Sequence, residues 1–370
     1  MKKPSIKLII GCVALGLVVA HLTIRTLNVI EARRPVAKNV IFLIGDGMGI
    51  SHVTATMLEA GPLAIERAHN VALTTTRSAN NLITDSAAAG TALATGYKTY
   101  NNAIGVDADT TAHPSILERA EEAGLATGLV ATYAVTHATP ASFYAHIASR
   151  YYQYDIAEQL IDKDVEVIIA GGAKHFEERK DGRNLSDSLR TRGYVVAHSL
   201  DEVADINEGK VAVFAAHDAM PSALDNRGSF LPDATAKALE ILAKNKKGFF
   251  IMIEGSQIDG QAHGNNLEGV VAETLDFDKA IKIAFDFADT HKDTLVIVGA
   301  DHETGGLSVI NPNGDFSTHK NPVDYAFSTR GHSGGMTPFY FYGAGAEEFS
   351  GVLDNTDIPR IIARVMGLEL

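Results

Sequence analysis

Three apolar runs in this chain end in carboxylates and imidazoles. Asp46 follows Val40-Ile41-Phe42-Leu43-Ile44, and Glu254, Asp259 and His263 follow Phe249-Phe250-Ile251-Met252-Ile253. Asp301 and His302 follow Leu295-Val296-Ile297-Val298. These side chains carry the oxygen and nitrogen lone pairs that bind divalent cations. Gathered at one place, their carboxylates would repel one another strongly unless cations sat among them. The chemistry this predicts is that of a multi-metal active site.

Spacing sharpens the reading. Asp259 and His263 are four apart, so one helical turn would aim both at a single cation, although a capped surface helix gives the same spacing. Asp301 and His302 are adjacent and would splay on a strand, so the site requires a tight turn, which Gly305-Gly306 can supply. His332 lies in Arg330-Gly331-His332-Ser333-Gly334-Gly335, a glycine-lined loop able to carry an imidazole to a metal. Asp46 and Glu254, placed directly after apolar strands, would be costly to bury unpaired. With Thr139 they could form an all-oxygen site for Mg²⁺. Arg150 would be a surface residue in most proteins; its alternative role is a bidentate clamp on phosphate oxygens.

Asp85-Ser86 opens the small-residue segment Ala87 to Gly96. Taken alone, this is an ordinary N-cap. Beside the ligand clusters it acquires a second meaning. A hydroxyl at a helix N-terminus meets a dipole and free amides that favour an anion, and a metal there would lower its pKa enough to make a nucleophile.

These groups need elements to hold them. Strands are predicted at Val40–Ile44, Val71–Thr75, Thr127–Thr132, Val165–Ala170, Val211–Phe214, Phe249–Ile253, Thr294–Val298 and Pro338–Tyr342. Helical patterns intervene at Ser115–Ala123, Tyr154–Ile161, Ala234–Ala243 and Leu267–Asp289, and Thr139-Pro140 reads as a capping hydroxyl opening another helix. The alternation predicts an α/β fold: a mostly parallel central sheet flanked by helices on both faces, with ligands beyond the carboxyl ends of its strands. Lys174–Asn184 and Asn311–Arg330 read as irregular surface insertions, and residues 35–370 as one catalytic domain.

Bulk properties narrow the class. A net charge of −13 argues against general nucleic-acid binding, since no basic field exists to engage phosphates. Lys2, Lys3 and Lys7 precede an apolar stretch from Leu8 to Ala20, too short to span a bilayer. Residues 1–34 therefore read as an export signal, cleaved or kept as a membrane tether, which implies a periplasmic or secreted protein. Cys12 is the only cysteine, so the mature chain carries no disulfide.

Taken in order, Asp46-Gly47-Met48-Gly49, Thr84-Asp85-Ser86-Ala87-Ala88, His137-Ala138-Thr139-Pro140-Ala141, Glu254-Gly255 with Asp259 and His263, Ala300-Asp301-His302, and Gly331-His332 resemble the motifs of alkaline phosphatases. The resemblance covers essentially everything after residue 38. It implies an alkaline-phosphatase-like sandwich that hydrolyses phosphate monoesters through a phosphoserine on Ser86. It also implies two zinc ions and one magnesium ion. One zinc would be held by Asp259, His263 and His332, the other by Asp46, Asp301 and His302, and Mg²⁺ by Asp46, Thr139 and Glu254. Arg150 would grip the phosphoryl group, oriented by Asp85. His137 stands where some bacterial members carry Asp, and Gly260 replaces a Lys, His or Trp that reaches toward phosphate in other members. Family membership further suggests a homodimer.

Charge supports metal loading independently. Asp46, Asp85, Glu254, Asp259 and Asp301 against Arg150 leave an empty site near about −4, which repels a phosphate dianion; three divalent cations and an ionised Ser86 bring it to about +1. Rival readings are a related two-metal phosphodiesterase, a sulfatase and a noncatalytic exported phosphate-binding protein. The sulfatase fails because Ala88 and Gly90 stand where Pro and Arg are needed. Arg150 and the Thr139/Glu254 site favour a dianionic terminal phosphate over a diester. A binding protein has no need of metal ligands beside a serine.

Overall fold

The computed structural model describes residues 36–312 and 323–370. Its strands are β1 (Asn39–Gly45), β2 (Asn70–Thr75), β3 (Ala126–Ala134), β4 (Val167–Gly171), β5 (Tyr194–Ala197), β6 (Lys210–Phe214) and β7 (Phe249–Gly255). They continue with β8 (Thr294–Gly299), β9 (Glu303–Thr304), β10 (Leu307–Ile310), β11 (Asp324–Phe327), β12 (His332–Ser333), β13 (Thr337–Gly343) and β14 (Gly351–Asp354). Ten of these form one sheet in the order β14-β2-β13-β8-β1-β7-β3-β4-β6-β5. Only β13 runs against its neighbours.

The apolar runs form the middle of this sheet because they are covered on both faces. Val40, Phe42 and Ile44 of β1 enter one core layer and Ile41 and Leu43 the other, all fully buried. The first layer is closed by helices at Ser86–Thr95, Ile116–Glu122, Gln153–Ile161 and Asp357–Met366. The second is closed by helices at Ile50–Ala60, Phe230–Leu242 and Leu267–Thr290. The mostly parallel sheet with helices on both faces is therefore the fold the sequence predicts. Each predicted strand and helix has its counterpart.

Register sets the site. β1 lies between β8 and β7, with Ile44 opposite both Gly299 and Glu254. Asp46, Glu254 and Asp301 consequently emerge side by side at the carboxyl edge. β3 is the next strand out, paired with β7, and its end leads into His137 and Thr139.

β5 and β14, the two edge strands, have no counterpart among the strands the sequence predicts. The short helix at Ala138–Ala141 has His137, not Thr139, at its N-cap, so Thr139 lies inside the helix and its hydroxyl caps nothing. The 174–184 stretch continues a helix, Ala173–Glu177, rather than starting irregular. Within 311–330, β11 pairs antiparallel with β10 as a two-stranded arm, because Tyr325 and Phe327 alternate with smaller or charged residues. Residues 313–322 and the N-terminal signal or tether lie outside the described residues. Among the described residues, no helix is long and apolar enough to cross a membrane.

Candidate active site

Ser86 is the first residue of a ten-residue helix whose every position is buried. Asp85 caps that helix, its Oδ1 accepting the Ala88 N–H at 3.0 Å. The same carboxylate accepts the Asn102 N–H and lies 3.2 Å from Arg150 Nη1, so cap and arginine anchor are one residue. Arg150 Nη2 donates to His137 Nε2 at 3.0 Å. Nε2 must then be the unprotonated nitrogen, in keeping with a His137 pKa lowered to about 3 by burial and by Arg150.

Facing Ser86 is a convergence of lone pairs. Ser86 Oγ lies 3.2 Å from His302 Nε2. That nitrogen is 3.4 Å from Asp46 Oδ1 and 3.3 Å from Asp301 Oδ2. The Thr304 hydroxyl donates to Asp259 Oδ1 at 2.6 Å and has only its oxygen left for His302 Nδ1, 3.2 Å away. Nδ1 is thereby the protonated nitrogen, assigned from this network, and Nε2 points its lone pair into the site. His332 Nδ1 likewise donates to the Thr84 carbonyl and His263 Nδ1 to that of Arg330. Their Nε2 atoms meet 3.2 Å apart, with Asp259 oxygens 3.3 Å from His263 and 3.6 Å from His332. The hydrogen bond to Asp259 raises the His263 imidazole to about 9, and two imidazole nitrogens meeting one carboxylate make a donor set that suits zinc once the His263 proton is displaced.

Unpartnered polar atoms give a second test of fit. Both Asp46 oxygens, Asp301 Oδ2, Glu254 Oε1, Thr139 Oγ1 and His137 Nδ1 are buried without a hydrogen-bond partner. Such atoms normally find one. Burial, with the neighbouring carboxylates adding to it, pushes Asp301 up to about 6 and Asp46 well above the usual carboxylate range. Burial also carries Glu254 to about 7 against the Ser256 hydroxyl bonded to it. Divalent cations would satisfy the oxygens among these atoms and their charge together, whereas His137 Nδ1 carries the ring proton while Nε2 accepts from Arg150 and offers no lone pair in this tautomer. Among the described residues, three groupings have ligand atoms within 4.8 Å of one another: Asp46, Asp301 and His302; Asp259, His302 and His332, with His302 where the resemblance implies His263; and Asp46, His137 and Glu254.

All thirteen sequence-derived positions thus fall at one end of the sheet or in the loops beside it. Gly305 and Gly306 adopt positive φ, making the turn that Asp301-His302 requires. A Cβ on Gly260 would meet no atom within 4 Å, so that face of the Gln257–His263 helix is open. Three residues of the site carry no motif in the sequence: Thr304, which links Asp259 to His302, Asn102, whose backbone holds Asp85 and Arg150, and Glu303. The only local signal was a hydroxyl two residues after His302.

Comparison with known proteins agrees with this geometry. A family model described as alkaline phosphatase matches residues 37–323. Alkaline phosphatase 4 of Bacillus subtilis is 35% identical, over 89% of this chain and 88% of the relative. The solved alkaline phosphatase of the Antarctic bacterium TAB5 superposes with a TM-score of 0.85 at 38% identity, covering 91% of this chain and 99% of that one. A TAB5 variant with a histidine replaced by glutamate, and Mg bound in its M3 site, superposes with a TM-score of 0.85 at 37% identity over 91% and 99% of the two chains. Fold, site and relatives together define a metal-dependent hydrolase of phosphoric monoesters. The chain belongs to the alkaline phosphatase family.

Proposed function

We propose that this enzyme releases inorganic phosphate from monoesters through a phosphoserine on Ser86. The supporting observation is Ser86 Oγ at a helix N-terminus, 3.2 Å from His302 Nε2 and within the ligand cluster. Asp259, His263 and His332 would hold one zinc, Asp46, Asp301 and His302 the other, and Asp46, Thr139 and Glu254 magnesium, with His137 alongside. When bound, these cations supply Lewis acidity that favours the ionised serine and neutralises phosphoryl charge.

The chain's own residues account for the remainder. Ser86 Oγ forms a bond to phosphorus as the ester P–O bond breaks; the electron pair leaves with the alcohol oxygen, and the proton that Ser86 gives up goes by way of solvent to that oxygen. Arg150, held by Asp85 and His137, donates to phosphoryl oxygens and keeps phosphorus in line with Ser86. Water then attacks phosphorus from the vacated side, the bond between phosphorus and Oγ breaks, and one water proton passes to Oγ, which restores Ser86 as phosphate leaves. The open space at Gly260 places no side chain against the ester, which supports broad specificity. The charged and apolar N-terminal residues support export, with or without a tether, and family membership supports a homodimer.

The test combines an aryl-phosphate assay with mass mapping of acid-quenched enzyme. Ser86→Ala is expected to lower turnover by ~10³-fold or more and to abolish the phosphopeptide. A phosphate adduct on another residue would refute the assignment. Equal hydrolysis of a bis-aryl diester would favour the related phosphodiesterase instead.

A further inference from the structure

Glu303 follows His302 but turns away from the reacting groups, and its side chain is almost fully buried. Its carboxylate accepts the Gly306 and Leu307 N–H groups, each at 3.2 Å, and so closes the turn after Asp301-His302. It also accepts the hydroxyl of Ser333, the residue after His332. Backbone pairing follows the same line: Ser333 lies opposite Glu303 and His332 opposite Thr304, where β12 meets β9. The Gly305 N–H adds a bond to the Gly331 carbonyl at 2.9 Å.

A third loop leans on the same stem. A Cβ on Gly49 would stand 2.3 Å from Glu303 Cγ, so the Asp46–Gly49 turn packs directly against it. Gly49 N–H is in turn tied to His52 Nδ1, which lies 4.0 Å from Glu303 Oε1. The Thr304 N–H donates to the Gly47 carbonyl at 3.1 Å. One buried side chain therefore joins the loops that carry Asp46, Asp301-His302 and His332.

We infer that Glu303 is a positioning residue that fixes these three loops in the spacing a divalent cation needs, without itself touching cation or ester. The inference rests on the metal-dependent reading of the site. Loss of the carboxylate frees the Ser333 hydroxyl and the Gly306 and Leu307 amides, so the His332 loop and the His302 turn are no longer held to one geometry. Outer partners of metal ligands act in this way, through orientation.

The experiment measures zinc affinity by competition with a chromophoric chelator, on the unmodified protein and on Glu303→Ala, Glu303→Gln and Ser333→Ala. Apo-protein melting is recorded alongside. Glu303→Ala is expected to bind zinc ~10–100-fold more weakly, with Glu303→Gln recovering part of the loss because its one oxygen still accepts one of the two amides, which the carboxylate serves with separate oxygens. A residue serving stability alone would lower apo melting and leave affinity unchanged, and affinity within about twofold of the parent overturns the inference. If Glu303→Ala does not fold, Ser333→Ala decides: weaker zinc binding supports the inference and unchanged binding overturns it. An unmodified protein that binds no zinc would overturn the functional reading itself. Parent binding that the variants leave unchanged overturns only the role of Glu303.

Discussion

Arg150 is engaged by two residues, with Asp85 on one nitrogen and His137 on the other. Its fork is therefore oriented before substrate arrives, and that orientation is what a phosphate clamp needs. Arg150→Ala should weaken inhibition by inorganic phosphate ~10–100-fold and raise KM more than it lowers kcat. Arg150→Lys should restore little, because a point charge cannot reproduce two parallel donors. Phosphate inhibition unchanged in both variants would remove Arg150 from the clamp. At this scale the sequence disclosed residue types better than their partners. Asp85 read as a cap and as an arginine anchor, and it bonds in both ways. Thr139 read as a cap because Thr-Pro looks locally like a helix start, whereas its hydroxyl is buried beside Glu254. Glu303 gave no local sign and Thr304 only a hydroxyl two residues after His302, since Ser333 and Asp259 are distant in the chain.

At the scale of elements, Glu118 shows how helix ends are tied to the substrate side. It completes the capping box of the Ile116–Glu122 helix with Ser115 and bonds His146 Nε2 at 3.1 Å and Lys163. His146 Nδ1 in turn holds the Gly105 carbonyl, on the loop that carries Asn102. Burial works to raise the Glu118 carboxyl, but His146, Lys163 and the Ser115 N–H bring it down to about 2. Burial works to lower His146, yet Glu118 outweighs it and raises the imidazole above 6.5. Glu118 thus contributes fully above its unfolded value of 4.5 and loses that contribution as pH falls through about 2. His146 contributes fully below 6.5 and loses its contribution as pH rises through its raised value. Glu118→Gln should accordingly cost most between these limits, up to about 3 kcal/mol near pH ~5.5, and less on either side. Melting curves across pH check this, and a gap that does not vary with pH would contradict it. Strand legibility followed burial. The central runs are apolar on both faces and unmistakable, whereas β5 and β14 are four-residue edge strands with Val195 and Val352 exposed, too short and mixed to carry a pattern.

For the whole molecule, the governing balance is between a buried cluster of carboxylates and the cations it demands. Chelation should lower the melting temperature, and zinc with magnesium should restore it; at free metal ~1,000-fold above Kd the stabilisation is about 4 kcal/mol. A melting temperature indifferent to chelator would mean that the buried oxygens are satisfied in some other way. The sheet order adds a consequence for durability. The strands that deliver Asp46, Glu254 and Asp301 are three consecutive ribs at the keel of the sheet, while the weakly covered ones lie at its gunwales. Heat or denaturant should loosen the rim first, so catalytic competence should outlast the earliest spectroscopic signs of melting.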